Sequence, residues 1–247
     1  RTLEAQRLAH SAARAEQLAE IDRVRTAILA AVGHDLRTPL ASIKASASSL
    51  RTVDVAFSPE DSDELLATIE ESTDQLSDLV ENLLAMSRLQ AGVLSVQSRP
   101  VALDEVVARA LLHTPGGDRV EVAVPDDLPL VRADPGLLER VVANLVNNAL
   151  QAAPGPVTVH AATEGPWGRL TIIDHGTGIP VAERERVFEP FQRLDDRTAE
   201  GRIGLGLAIA RGFTEAMGGT VTPRDTPGGG LTMTVTLPLV DPAARGD

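Results

Sequence analysis

The chain has 247 residues, 43% of them hydrophobic, which is enough for more than one domain with a packed core. Its 35 acidic residues against 23 basic ones leave a formal net charge of −12, the wrong sign for neutralising nucleic-acid phosphates, so direct nucleic-acid binding is not expected. The lack of cysteine excludes disulfides and cysteine-liganded zinc, and no run of about 18 apolar residues offers a membrane span.

The N-terminus has no signal-peptide core, and Arg1–Ala5 already stands in helical pattern, so a soluble piece of a longer protein is expected. Leu29, Leu36, Ile43 and Leu50 recur at seven-residue spacing, with Leu18, Ile21, Ile28, Val32, Leu40 and Ala47 filling the adjoining positions of a helical stripe. Inside this helix lies His34-Asp35-Leu36-Arg37-Thr38-Pro39-Leu40. Pro39 has no N–H, so the Asp35 carbonyl loses its helical partner and the backbone loosens within a turn of His34. A carboxylate beside a histidine can bond one ring nitrogen, fix the tautomer and leave the other nitrogen as nucleophile. His34 lies roughly 200° around the helix from Leu36, outward from the seam, and Thr38 shares its face at i+4. By itself a histidine–aspartate pair on a helix is more often a solvated pair than a site.

Ser58-Pro59-Glu60-Asp61 supplies an N-cap, a first-turn proline and first-turn acids for a second helix, whose stripe is Leu65, Ile69, Leu76, Leu79, Val80, Leu83 and Met86. One helical hairpin cannot cover both stripes; two copies packed as a four-helix bundle can, which predicts a homodimer. Helical periodicity stops at Gln90-Ala91-Gly92, where the domain joint is expected.

Beyond it, β-branched content and turn residues predict strands at Leu94–Gln97, Val120–Val124, Leu130–Arg132, Val157–Ala161, Leu170–Asp174, Val221–Pro223 and Leu231–Leu237. Helices are expected at Leu103–Leu111, Pro135–Ala152 and Leu205–Met217, which together make an α/β sandwich with helices on one face of a mixed sheet. Four clusters in this region carry polar or glycine patterns. Asn144 and Asn148 stand at i and i+4, so their amides share one helical face, and amide oxygens suit a hard Mg²⁺. Asp174-His175-Gly176-Thr177-Gly178-Ile179 ends a strand in a tight loop where a carboxylate can accept an amino group and glycines permit close approach. Phe188-Glu189-Pro190-Phe191-Gln192-Arg193 follows, then Gly204-Leu205-Gly206-Leu207, where glycines lead into a helix with free N–H groups for a phosphate.

The His34 motif followed by these four clusters in this order resembles the sensor histidine kinases of two-component systems, over about Arg7 to Pro238. The resemblance implies an α+β chain: a helical-hairpin dimerisation and phosphotransfer domain over 1–91, a Bergerat-type α/β sandwich binding ATP over 92–240, and a tail at 241–247. It makes His34 the phosphate acceptor, Asp35 its base, and Thr38 the residue that positions water for dephosphorylating a partner regulator. It makes Asn148 the Mg²⁺ ligand, Asn144 a phosphate or metal contact, and Asp174 the reader of adenine. Gly176, Gly178 and Ile179 shape the pocket, Phe191 belongs to the aromatic box, and Gly204, Leu205, Gly206 and Leu207 anchor a lid running from Gln192 to Ile203. Arg193, Arg197 and Arg202 are its candidate phosphate contacts.

The segments Asp22–Leu29, Ala41–Leu50, Ala216–Thr220 and Thr226–Met233 further resemble actinobacterial KdpD-type kinases, membrane proteins governing potassium uptake. That likeness implies a KdpE-type response regulator as partner and a place on the cytoplasmic side of the bacterial plasma membrane, reached through a missing N-terminal region. No residue here reads an ion.

Four positions depart from the family, the first being Gly33, where a small hydroxyl residue is more usual. Gln151 and Ala152 stand where a lysine and an aromatic are usual, and Arg202 where a glycine is usual, so weak ATP·Mg binding is expected. Three functions stay open at this point: an ATP-dependent protein-histidine kinase, an ATP-driven clamp, and a catalytically weak dimeric scaffold or nucleotide-binding regulator. The clamp class uses a glutamate where Asn144 stands, which argues against it.

Overall fold

The computed structural model describes residues 32–33, 35–52, 57–152, 155–192 and 204–240. The first long helix, α1, runs through residues 35–50, and the second, α2, through Pro59–Gln90. The start of α2 is a reciprocal cap: the Asp61 N–H donates to the Ser58 hydroxyl oxygen at 3.0 Å, and the Ser58 N–H donates to the Asp61 carboxylate at 3.3 Å. Its end is a glycine stop, with Gly92 at φ +64° and the Val93 N–H closing onto the Arg88 carbonyl.

Two compact units divide the described residues at Glu81–Asn82, inside α2. In the first unit the inner positions of α2 are Leu65, Ile69, Ser72, Leu76 and Leu79, a three-four alternation in which Ser72 takes a place the apolar stripe had not shown. Val80, expected in that stripe, is instead 49% exposed. On α1 the buried positions are Asp35, Pro39 and Ser46, while Leu40 is 52% exposed. On α1 the large apolar Leu36, Ile43 and Leu50 are thus half-buried and Leu40 is exposed.

The second unit is an α/β sandwich. β1 (Arg99–Val101) pairs antiparallel with β3 (Val131–Ala133) in a small ribbon. The main sheet has the order β2-β4-β5-β7-β6, from β2 (Val120–Ala123), β4 (Val157–Glu164), β5 (Trp167–Ile173), β6 (Thr220–Asp225) and β7 (Leu231–Pro238). Among the described residues the β2–β4 pair is parallel and the other pairs of this sheet are antiparallel. Alternation, interrupted in β7 by the buried Thr234, sends Val157, Val159, Leu170, Ile172, Met233, Val235 and Leu237 to a buried face. Against it lie α3 (Leu103–Leu112), α4 (Pro135–Ala152) and α5 (Gly206–Ala216), whose buried residues include Val107, Leu138, Val142, Leu145, Ile209 and Phe213. The expected Leu94–Gln97 strand is absent. Its side chains alternate in burial, but among the described residues no strand pairs with it, and the ladder with β3 begins at Arg99.

Asp134 ties this unit together at the start of α4. One carboxylate oxygen accepts the N–H groups of Gly136 and Leu137, capping the helix before Pro135 completes its first turn, and the other accepts the Gln97 N–H at 2.8 Å. The last turns of α2 also belong here: Leu89 lies against Gly212 of α5, where a Cβ would come within 2.8 Å of its methyl carbon.

Candidate active site

The site is built along α4, where the start of α5 meets its middle and the loop after β5 meets its C-terminal end. α4 turns Leu145, Val146 and Ala149 into the core and leaves Asn144 and Asn148, one turn apart, half-buried at the rim. α5 begins directly beside them, for a Cβ on Gly206 would lie 3.4 Å from the Asn144 side-chain oxygen. A Cβ there would make ordinary contact with the amide, so α5 starts within side-chain reach of the asparagine face. Among the described residues no side chain caps that helix, whose N-cap Leu205 is buried, and first-turn N–H groups have no intrahelical acceptor in any helix. Amide oxygens beside an uncapped helix start form a donor and acceptor set that fits a phosphate chain with Mg²⁺.

At the end of β5 Asp174 is 2% exposed. Its Oδ1 accepts the N–H of Gly176 at 2.9 Å and of Leu231 at 3.1 Å, while its own N–H donates to the Leu231 carbonyl. Two backbone donors on one oxygen orient the carboxylate and direct the other oxygen's lone pairs elsewhere. The loop that follows needs its glycines. A Cβ on Gly176 would sit 2.4 Å from the carbonyl oxygen of Ala152, at the C-terminal end of α4, and Gly178 adopts φ +70°. Ile179 is buried; its carbonyl accepts from Arg184 Nε at 3.3 Å, and the Arg184 guanidinium also pairs with Asp225 at the end of β6.

The two stems flanking residues 193–203 meet. The Phe191 N–H donates to the Gly204 carbonyl at 3.0 Å, and both residues have left-handed backbones, φ +68° and φ +69°. A Cβ on Gly204 would lie 2.6 Å from the Gln192 carbonyl oxygen. Phe191 is the one non-glycine residue with positive φ among the described residues, a conformation that costs energy and that this bond holds in place.

Of the residues singled out in the sequence, Asn144, Gly204, Leu205, Gly206, Leu207 and Phe191 form one neighbourhood beside the middle of α4, and Asp174, Gly176, Gly178 and Ile179 a second at its C-terminal end. Gln151 is exposed in the last turn of α4. In the helical unit Asp35 is 3% exposed, so a base at this position is shielded from water, and Thr38 is exposed. His34, Arg193, Arg197 and Arg202 lie outside the described residues. Sequence reasoning missed Gly230. It has φ +112°, and a Cβ there would fall 2.0 Å from the Asp174 carbonyl oxygen. The run of glycines at 228–230 was its signal.

Comparison with known proteins assigns two domain families to the chain. Residues 24–92 match the His Kinase A (phospho-acceptor) domain, and residues 133–241 match the histidine kinase-, DNA gyrase B- and HSP90-like ATPase family. The sensor protein KdpD of Mycobacterium tuberculosis is 52% identical over 93% of this chain, which spans 28% of that relative's length. Among solved structures, the mycobacterial sensor histidine kinase MprB is 32% identical with a TM-score of 0.50, covering 57% of this chain and 97% of its own. Full-length ShkA in complex with AMPPNP is 27% identical with a TM-score of 0.58, covering 91% of this chain and 46% of its own.

Proposed function

We propose, for a chain that belongs to the sensor histidine kinases by its phospho-acceptor and ATPase-type domains, that it moves the γ-phosphoryl group of ATP onto His34 and then onto an aspartate of a response regulator. The observation that supports this most directly is the start of α5 lying beside Asn144, with the oriented Asp174 carboxylate by the C-terminal end of α4. The AMPPNP bound by ShkA supports a nucleotide at such a site.

In this reading Asp174 accepts the adenine amino group through its second oxygen, while the first-turn N–H groups of α5 receive the phosphates. Asn148 and Asn144 would hold Mg²⁺, which supplies charge neutralisation across the phosphates. A ring nitrogen of His34 attacks the γ-phosphorus in line, the bond to the β–γ bridging oxygen breaks, and ADP carries away that electron pair. The ring proton passes to Asp35. Holding the partners in line contributes most of the acceleration, as is general for phosphoryl transfer. Residues 1–91 are assigned to phosphotransfer and dimerisation and 92–240 to ATP binding.

The likeness to KdpD, confined to 28% of that protein's length, supports a finer assignment: a KdpE-type receiver domain as acceptor, potassium or osmotic signalling, and a whole protein held at the cytoplasmic face of the membrane. No helix among the described residues is long and apolar enough to cross a membrane.

Incubation with γ-labelled ATP tests the reading. Acid-labile label is expected on the parent with Mg²⁺, none with EDTA and none on His34→Gln, and label should move to an added KdpE-type receiver. Persistent acid-labile label on His34→Gln overturns the acceptor assignment. Free phosphate with no bound label indicates an ATPase, and neither product indicates the scaffold reading that Gln151 and Ala152 favour.

A further inference from the structure

We propose that Arg211 is a positioning residue for the phosphate end of the nucleotide, acting through Phe188 on the two stems that flank residues 193–203. Arg211 lies five residues into α5 from Gly206. Its guanidinium carbon is 4.2 Å from the centroid of the Phe188 ring, and that ring is buried at the end of the 3₁₀ turn Arg186–Phe188. The same guanidinium reaches Glu185 at 3.0 Å and Glu215 at 3.5 Å. Both carboxylates are largely exposed, so these ion pairs contribute little by themselves and serve to aim the guanidinium plane. The stack on a desolvated ring is the stronger contact.

Its consequence follows from chain connectivity. Phe188 precedes Phe191 by three residues, with the Gln192 N–H also returning to the Glu189 carbonyl. Phe191 in turn is bonded to Gly204, and Gly206 opens α5 two residues later. Arg211 therefore joins the two sides of a small closed circuit: α5, the stem at Gly204, the stem at Phe191, the turn at Phe188, and back to α5. Removing the stack frees one side of that circuit. Both stems and the α5 terminus then lose their mutual spacing. Asp174, held by Leu231 and Gly176 from a different part of the sheet, keeps its geometry. The effect should fall on phosphates and spare adenine.

The inference rests on the reading of this pocket as an ATP site, and calorimetry with two ligands separates the two ideas. The parent should bind both ATP·Mg and adenosine; if it binds neither, the nucleotide reading itself fails. If it binds both, Arg211→Met should weaken ATP·Mg about five- to tenfold and leave adenosine unchanged. Arg211→Lys, which keeps the charge but not the flat stack, should fall between, and Phe188→Leu should reproduce Arg211→Met. Combining Arg211→Met with Phe188→Leu should cost little more than either alone, because both remove one contact. A role in stability alone would lower the unfolding temperature while weakening both ligands together or neither. An unchanged ATP-to-adenosine ratio in folded Arg211→Met, or in Phe188→Leu should the former not fold, overturns the proposal.

Discussion

At Gln151 a single side chain sets an expectation about affinity. It is exposed in the last turn of α4, three residues after Asn148, on the face where the histidine kinases usually carry a lysine. A neutral amide there leaves any bound phosphate one cation short. Gln151→Lys should therefore tighten ATP·Mg several-fold, on the order of 1 kcal/mol for a contact in an open rim, and the gain should shrink as salt rises. Titration at two ionic strengths checks this. If affinity is unchanged at both, the phosphates do not reach this end of α4. The residue scale was also where the sequence was most readable: Asp174 and the asparagine pair were marked by side-chain chemistry that has no use in a core. Gly230 was not, because its necessity comes from the Asp174 backbone lying where its Cβ would be, 56 residues away in the chain.

Among the elements, α2 and α4 were legible to within a residue or two because their starts are written in local chemistry. Pro135 after the capping carboxylate of Asp134 opens α4, and Ser58 with Asp61 opens α2. The cap of α2 is testable by itself. Ser58→Ala removes the acceptor for the Asp61 N–H and should cost about 1 kcal/mol of helical-unit stability. That corresponds to a drop of a few degrees in its melting temperature by circular dichroism. No change would mean that the helix start is held by tertiary packing instead. The misplaced strand at 94–97 has the opposite lesson. Alternation is a property of the segment, but a strand also needs a neighbour, and β3 reaches only to Arg99.

The whole molecule poses a burial problem that one protomer leaves unsolved. Leu66 and Val80, two heptads apart on α2, are each 49% exposed, and Leu40 on α1 is 52% exposed. Such a stripe at coiled-coil spacing fits a second copy of the hairpin, as expected of a phospho-acceptor domain. The Leu66→Lys, Val80→Lys double variant should sediment at half the mass of the parent, since two lysines per chain would face an apolar seam. A parent already monomeric, or a variant that keeps the parent's dimeric mass, would place the contact between copies elsewhere.

The order of motifs, the helix starts, the strand alternation and the residue types of the site are all determined by the sequence alone, because each is expressed within a few neighbouring residues. Tertiary structure decided which of these meet. The pairing of Asn144 with Gly206, the seat of Asp174 between Gly176 and Leu231, and the stack of Arg211 on Phe188 join residues 23 to 62 positions apart or depend on such a join. No local periodicity encodes those distances. They follow from the strand order that sets β7 beside β5 and from the packing of α4 against α5, where a missing Cβ or a planar guanidinium becomes meaningful only once the other element is in place.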